Sequence, residues 1–309
     1  MRSVTIWRAN LAKKGGKPAE WKGRTDGLPW MIRSLVVLMK VIDRRIIYCF
    51  MAIVVPFYMI FHHDSYLATY RFFRQRFHLG RIKSFLKVYA NHFRFGQVII
   101  DRYAAYAGKK FRFELDGNER FMELVNGERG FVQLSSHAGN YEMVGYGLTS
   151  TTKKINGLFY GGESKVMMDF RRKILAMHNV NLIEVDESMS HIFNMNAAID
   201  RGEIVSMTGD RLFGSSKAIK CMFLGKEASF PMGPFALAMQ KEVPMLAVFS
   251  MRYKGRYRVY VRDIEQDESL PIRARMTDMA KKFASELENV VRMYPTQWFN
   301  YYDFWKDNE

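Results

Sequence analysis

The sequence predicts an α/β fold, a mixed sheet with helices on both faces, preceded by membrane-associated helices at the N-terminus. Three observations carry that expectation. Beyond Phe111, short runs rich in β-branched and aromatic residues alternate with segments of helical period, as in sheets whose crossovers are helices. Ahead of them, residues 46–61 form sixteen consecutive positions without a charge, between Arg44-Arg45 and His62-His63-Asp64. The formal net charge is +16, and residues 1–50, with eleven Lys or Arg against three Asp or Glu, supply half of it.

In chain order, the first 30 residues are polar and basic and lack the apolar stretch of a signal peptide, so none is expected. The apolar run that follows falls short of the ~20 residues that comfortably span a bilayer. Its basic flank suits anionic headgroups, so it reads as a monotopic helix or helical hairpin lodged in one leaflet. A buried core helix is the alternative. Residues 1–64 are accordingly taken as a basic segment and anchor, and 65–309 as the catalytic domain. From Ser65 to about Gly108, aromatic residues recur at helical spacing with Arg between them, as in Tyr70-Arg71-Phe72-Phe73-Arg74. Strands are expected at 111–115, 131–135, 155–160, 180–185, 203–208, 219–224, 244–251 and 256–262. Helices are expected at 141–150, 165–178, 190–200, 232–241 and 272–293.

Composition narrows the function. A chain of 309 residues, 48% hydrophobic and 25% charged, buries a large core. Two cysteines, Cys49 and Cys221, make no disulfide framework and fit a reducing compartment. The excess of positive charge calls for an anionic partner, nucleic acid or membrane phosphate. No phosphate-binding G-x-x-x-x-G-K-[ST], nucleophile elbow, H-E-x-x-H or C-x-x-C occurs, and the seven histidines show no metal-ligand spacing beyond the His62-His63 pair. No metal or redox cofactor is expected.

The remaining constellation is Ser135-Ser136-His137-Ala138-Gly139-Asn140-Tyr141-Glu142, at the end of the apolar run Phe131-Val132-Gln133-Leu134. A histidine on a strand-to-helix turn, followed by a carboxylate in the helix's first turn, makes a general-base pair. The acid fixes the tautomer and the free ring nitrogen takes a proton from a substrate hydroxyl or amine. Gly139 allows close backbone approach, and the first amides of the helix suit an oxyanion. The plain structural alternative is a turn histidine with a carboxylate favoured by the helix dipole.

The order of further blocks resembles the lysophospholipid acyltransferase superfamily, and within it the lipid A late acyltransferase branch. His137 and Glu142 match that family's His-x4-Asp/Glu motif. Thr208-Gly209-Asp210-Arg211 matches its Asp-Arg block after a strand, and Phe230-Pro231-Met232-Gly233-Pro234 its Phe-Pro-x-Gly-Pro block. Gln297-Trp298-Phe299-Asn300-Tyr301-Tyr302-Asp303-Phe304-Trp305 is similar to the branch's aromatic tail. The N-terminal part, with Trp21-Lys22-Gly23-Arg24 before the apolar run, resembles acyltransferases of aryl polyene and flexirubin pathways.

The resemblance implies a membrane-bound acyltransferase on the cytoplasmic face of a bacterial inner membrane. It would move a fatty acyl group from an acyl carrier protein or coenzyme A thioester to a hydroxyl or amine of a lipid or glycolipid, without an acyl-enzyme. His137 and Glu142 would be catalytic. Gly139, Asn140, Asp210, Arg211, Phe230, Pro231 and Gly233 would bind substrate. Asp210 would position the dyad or acceptor, and Arg211 would meet a phosphate or carbonyl oxygen. Met232, where glycerol-phosphate acyltransferases carry Glu, argues against a simple phospholipid acceptor. Two other classes are a nucleic-acid-binding protein using interleaved Arg and aromatic residues, and an inactive membrane scaffold of the same fold.

Overall fold

The computed structural model describes residues 29–160, 165–185, 189–212 and 217–305. The basic segment with Trp21 lies outside them. Among the described residues, four helices come first: α1 (Pro29–Val41), α2 (Arg44–Phe61), α3 (His63–Arg76) and α4 (Arg81–Tyr106). Asp43 starts α2 by accepting the Arg45 amide at 2.8 Å, an N-cap. Pro56 lies inside α2 and has no N–H for the carbonyl of Ala52. That carbonyl is instead taken by the Tyr89 hydroxyl of α4 at 3.0 Å, so the helix continues through the proline.

α2 runs antiparallel along α4. Tyr48 meets Asp101, Met51 lies over Gly96, and Tyr58 stands by His92. A Cβ at Gly96 would fall on the Met51 thioether, so the glycine leaves room for that side chain in its present position. The basic aromatic region expected as one helical stretch is broken at Phe77–Gly80, where His78 adopts φ 52°.

Strands and helices then alternate: β1 (Phe113–Asp116), α5 (Asn118–Asn126), β2 (Phe131–Ser135), α6 (Val144–Gly147), β3 (Ile155–Tyr160), α7 (Lys165–Ala176), β4 (Val180–Val185), α8 (Ser190–Asp200), β5 (Ile204–Thr208), β6 (Ala218–Phe223), β7 (Lys226–Pro231), α9 (Gly233–Lys241), β8 (Met245–Tyr253), β9 (Arg256–Asp263) and α10 (Ile272–Met293). Seven strands form one sheet in the order β1-β9-β8-β2-β5-β3-β4. Every neighbouring pair is parallel except β8 with β9, so the sheet is mixed, as expected. β6 and β7 make a separate antiparallel hairpin.

Strand β2 is buried at all five positions, the mark of a central parallel strand covered on both faces. Val132 and Leu134 point into a core with α9 and α10, while Phe131 joins a second core with Phe121 of α5 and Leu175 of α7. This period-two division places helices on both sides of the sheet. Three elements differ from the sequence reading. Strand β7 occupies residues read as part of a motif, and α5 was not anticipated. The expected helix 141–150 is a 3₁₀ turn, Tyr141–Met143, followed by the single turn α6, which contains two helix-weakening glycines, Gly145 and Gly147.

Candidate active site

Parallel pairing of β2 with β5 sets the site. Ser135 is in register with Thr208, so the chain two residues beyond each strand end brings His137 beside Asp210. Both lie at the carboxyl edge of the sheet, where open α/β sheets bind ligands. Asp210 grips the turn with both oxygens. Oδ1 is 2.7 Å from His137 Nδ1, and Oδ2 accepts the His137 amide at 2.9 Å. The Trp298 indole N–H donates to Oδ2 at 3.2 Å. The C-terminal segment is stitched to the same turn: Phe299 N–H donates to the His137 carbonyl at 3.0 Å, and Ala138 bridges Trp298.

Burial pushes the His137 pKa down, the Arg211 charge adds to that, and Asp210 opposes it, leaving the ring below its ordinary value. Burial and Arg211 thus favour the uncharged imidazole, the form that can accept a proton. Burial works against ionisation of Asp210, but His137 and then Arg211 outweigh it and hold the carboxyl below its ordinary range. An ionised carboxylate on Nδ1 leaves Nε2 as the basic nitrogen. The ring borders Tyr141, half exposed, at a centroid distance of 5.7 Å.

Glu142 is placed otherwise than the sequence suggested. Instead of reaching the imidazole, its carboxylate is buried among Arg102, Arg171 and Tyr106. Arg102 Nε lies 2.8 Å and Arg171 Nη2 3.2 Å from Oε2, and the Tyr106 hydroxyl donates to Oε1. Burial disfavours its charge, yet Arg102 and Arg171 prevail and lower its pKa. Glu142 thus ties the turn to α4 and α7, while the acid at His137 comes from a strand end 73 residues away.

The remaining expected residues divide into two groups. Arg211 stays with His137 and Asp210: its Nη2 donates to the Phe299 carbonyl at 2.7 Å, and its guanidinium faces the Tyr302 ring at 6.0 Å. Gly139 adopts φ +69° where its backbone meets the Ser250 carbonyl, so the close approach is to this chain's own strand. The amides of Gly139 and Asn140 donate to Gln297 O at 2.6 Å and Ser250 O at 2.8 Å, which removes them as oxyanion donors. Asn140 is fully buried, its amide nitrogen 3.3 Å from the Tyr257 hydroxyl and 3.4 Å from the Val98 carbonyl. Phe230 is also fully buried, against Phe223, Phe283 and Phe304, and Pro231 is buried beside it at the end of β7. Neither Asn140 nor Phe230 has surface to offer a substrate. Gly233 is exposed at the start of α9.

Sequence reasoning gave Trp298 only as part of the aromatic tail and did not single out Arg102, Arg171 or Tyr106. Their only signal was polar character inside helices of apolar period. The hydroxyls of Ser135 and Ser136 bond to backbone, Ser135 to Met207 O at 3.2 Å and Ser136 to the Ala138 amide at 3.1 Å.

Comparison with curated proteins gives no match. A family model described as bacterial lipid A biosynthesis acyltransferase matches residues 96–307, a span holding His137, Asp210, Arg211 and the aromatic tail. With more than half of its length matched, the chain belongs to the bacterial lipid A biosynthesis acyltransferase family.

Proposed function

We propose that the protein transfers a fatty acyl group from an acyl thioester to a hydroxyl or amine of a lipid or glycolipid, with His137 as general base and Asp210 orienting it. The observation that carries this reading is the two-pronged grip of Asp210 on the His137 ring and amide. Nε2 takes the acceptor's proton as its oxygen or nitrogen attacks the thioester carbonyl. The tetrahedral species collapses by breaking the carbon–sulfur bond, and the departing thiolate recovers the proton from the imidazolium. Asp210 stabilises that imidazolium while it exists. Arg211 opposes the negative charge on the carbonyl oxygen or a substrate phosphate. The reaction is direct, because both serines nearest His137 are committed to backbone.

The site works at a membrane surface, on the cytoplasmic face of a bacterial inner membrane in this reading. Helix α2 has a mean hydropathy of 1.6 over 18 residues, of which 17% is buried. Ile46, Phe50, Ile53, Phe57 and Ile60, spaced four and three apart, form one stripe with each residue 58–71% exposed. Tyr48, Val55 and Met59 fill the opposite face, and that face packs on the protein. A helix backed by amphipathic α4 along its length suits insertion into one leaflet better than a lone span. Arg71, Arg74, Arg81, Lys83 and Lys87 are exposed nearby in sequence and favour an acidic carrier protein as donor.

The test is to supply full-length protein in lipid vesicles with an acyl carrier protein or coenzyme A thioester. Lipids from cells with and without the protein are compared by mass spectrometry. Thioester loss matched by a new acylated lipid is the expected result. Folded protein that consumes neither thioester overturns the reading in favour of a scaffold.

A further inference from the structure

Asp101 of α4 is 1% exposed and stands where α2, α4 and the sheet meet. Its two oxygens face different parts of the molecule. Oδ1 accepts the Tyr48 hydroxyl of α2 and has Arg44 Nε, also of α2, at 3.7 Å. Oδ2 accepts the Tyr257 hydroxyl of β9 at 2.5 Å and pairs with Arg252 Nε of β8 at 3.2 Å.

From Oδ2 two paths reach the turn that carries His137. Tyr257 has one hydroxyl proton, and giving it to Asp101 aims a lone pair at the Asn140 side-chain amide, 3.3 Å away. Along the second path, the Gln297 side chain clasps the Arg252 amide and carbonyl, each at 2.9 Å. The Gln297 carbonyl in turn accepts the Gly139 amide at 2.6 Å. Arg252 also closes the circuit back to α2, with its guanidinium 4.9 Å over the Tyr48 ring and Nη2 3.4 Å from the Tyr48 hydroxyl. Packing alone does not require such a network, since apolar residues of equal volume commonly serve stability as well as buried ion pairs. A satisfied polar network specifies one arrangement of the parts it joins.

We propose that Asp101 is a positioning residue for acyl transfer, which fixes the His137 turn only while α2, with its exposed apolar stripe, is seated on α4. Lipid contact by α2 would thereby reach His137. This rests on His137 acting as the general base.

Full-length Asp101→Asn and Tyr48→Phe variants in vesicles of mixed zwitterionic and anionic lipid would be assayed for transfer and for amide hydrogen exchange. A misplaced turn should lower kcat about 10–100-fold in Asp101→Asn, less in Tyr48→Phe, with the KM for thioester within about twofold of the parent. Exchange at the Gly139 and Asn140 amides should quicken in both variants, and the double variant should be no worse than Asp101→Asn alone. Tyr48→Phe removes one hydroxyl on the α2 side and carries the test if Asp101→Asn fails to fold. Parental kcat and parental exchange in a folded Tyr48→Phe protein would overturn the coupling. So would losses in amount of folded protein with kcat per folded molecule unchanged. If the parent itself shows no transfer, the proposed reaction fails, and the exchange at Gly139 and Asn140 alone decides the coupling.

Discussion

Replacing Glu142 with Gln separates the geometry seen here from the simplest reading of the motif. The substitution keeps shape and an oxygen for the Tyr106 hydroxyl, but removes the charge between Arg102 and Arg171. The side chains of Glu142 and Arg171 are 4% and 6% exposed and that of Arg102 15%, so solvent cannot replace the lost partner. Breaking a buried ion pair by removing one member costs about 3–5 kcal/mol. Against a total stability of about 5–15 kcal/mol, that is a large share. At a few degrees per kcal/mol, the midpoint of thermal unfolding should fall on the order of 10 °C.

The pH dependence follows from the lowered pKa of Glu142. Its contribution is fully present above the unfolded carboxylate value and fades as pH drops through the folded value. The gap between parent and variant should therefore narrow in acid. Thermal unfolding in detergent from pH 7 downward, with transfer measured at a temperature where both proteins are folded, makes the assay. Were Glu142 the acid that orients His137, the variant would melt with the parent and lose turnover. That outcome, an unchanged midpoint with kcat down by about 10²-fold or more, would refute the assignment of Glu142 to the fold.

Other expectations follow from the same geometry. Arg211→Lys keeps a charge but loses the planar fork that bonds Phe299 and that the proposed mechanism sets against substrate charge, so transfer should fall while the melting temperature changes little. Unchanged kinetics would make Arg211 a local tie only. Ile53→Glu with Phe57→Glu puts two charges in the exposed stripe of α2, each replacing roughly 2 kcal/mol of buried apolar surface. Vesicle binding measured by co-sedimentation should drop by about 100-fold or more, and undiminished binding would remove α2 from the lipid contact. Because burial and Arg211 lower the His137 pKa, transfer should rise with pH through a value below that of an ordinary histidine and then level off. A rise centred above that ordinary value, in a kcat–pH profile, would contradict a neutral buried base.

Much of the fold was legible because buried parallel strands are continuous apolar runs. Residues 131–135, 155–160 and 180–185 matched β2, β3 and β4 at both ends. α5 and β7 were not, since Asn118–Asn126 is short and polar-faced and β7 is stabilised by pairing with β6 and packing on Phe223 and Phe283. The histidine was legible as the residue ending a buried strand. Its partner Asp210 was legible only through the family resemblance, which has it positioning the dyad or acceptor, because the match of Ser135 with Thr208 arises from pairing strands 73 residues apart, which no local period encodes. Glu142 looked close in sequence, but Arg102 and Arg171, brought by α4 and α7, offer its carboxylate two positive charges where the uncharged imidazole offers none. Asn140 and Phe230 carried motif identity and proved to be buried structural residues.

The central claim is that His137, held by Asp210, takes the acceptor's proton. It is tested most directly by the single-turnover rate of acyl transfer in parent, His137→Ala and Asp210→Asn proteins, each shown to be folded. His137→Ala should lose about 10²–10⁴-fold. Asp210→Asn should lose a similar factor, because an amide cannot stabilise the imidazolium and offers Nδ1 no charge. The double variant should be no slower than His137→Ala, as residues acting as one unit are not additive. Transfer near the parental rate in folded His137→Ala protein would contradict the mechanism.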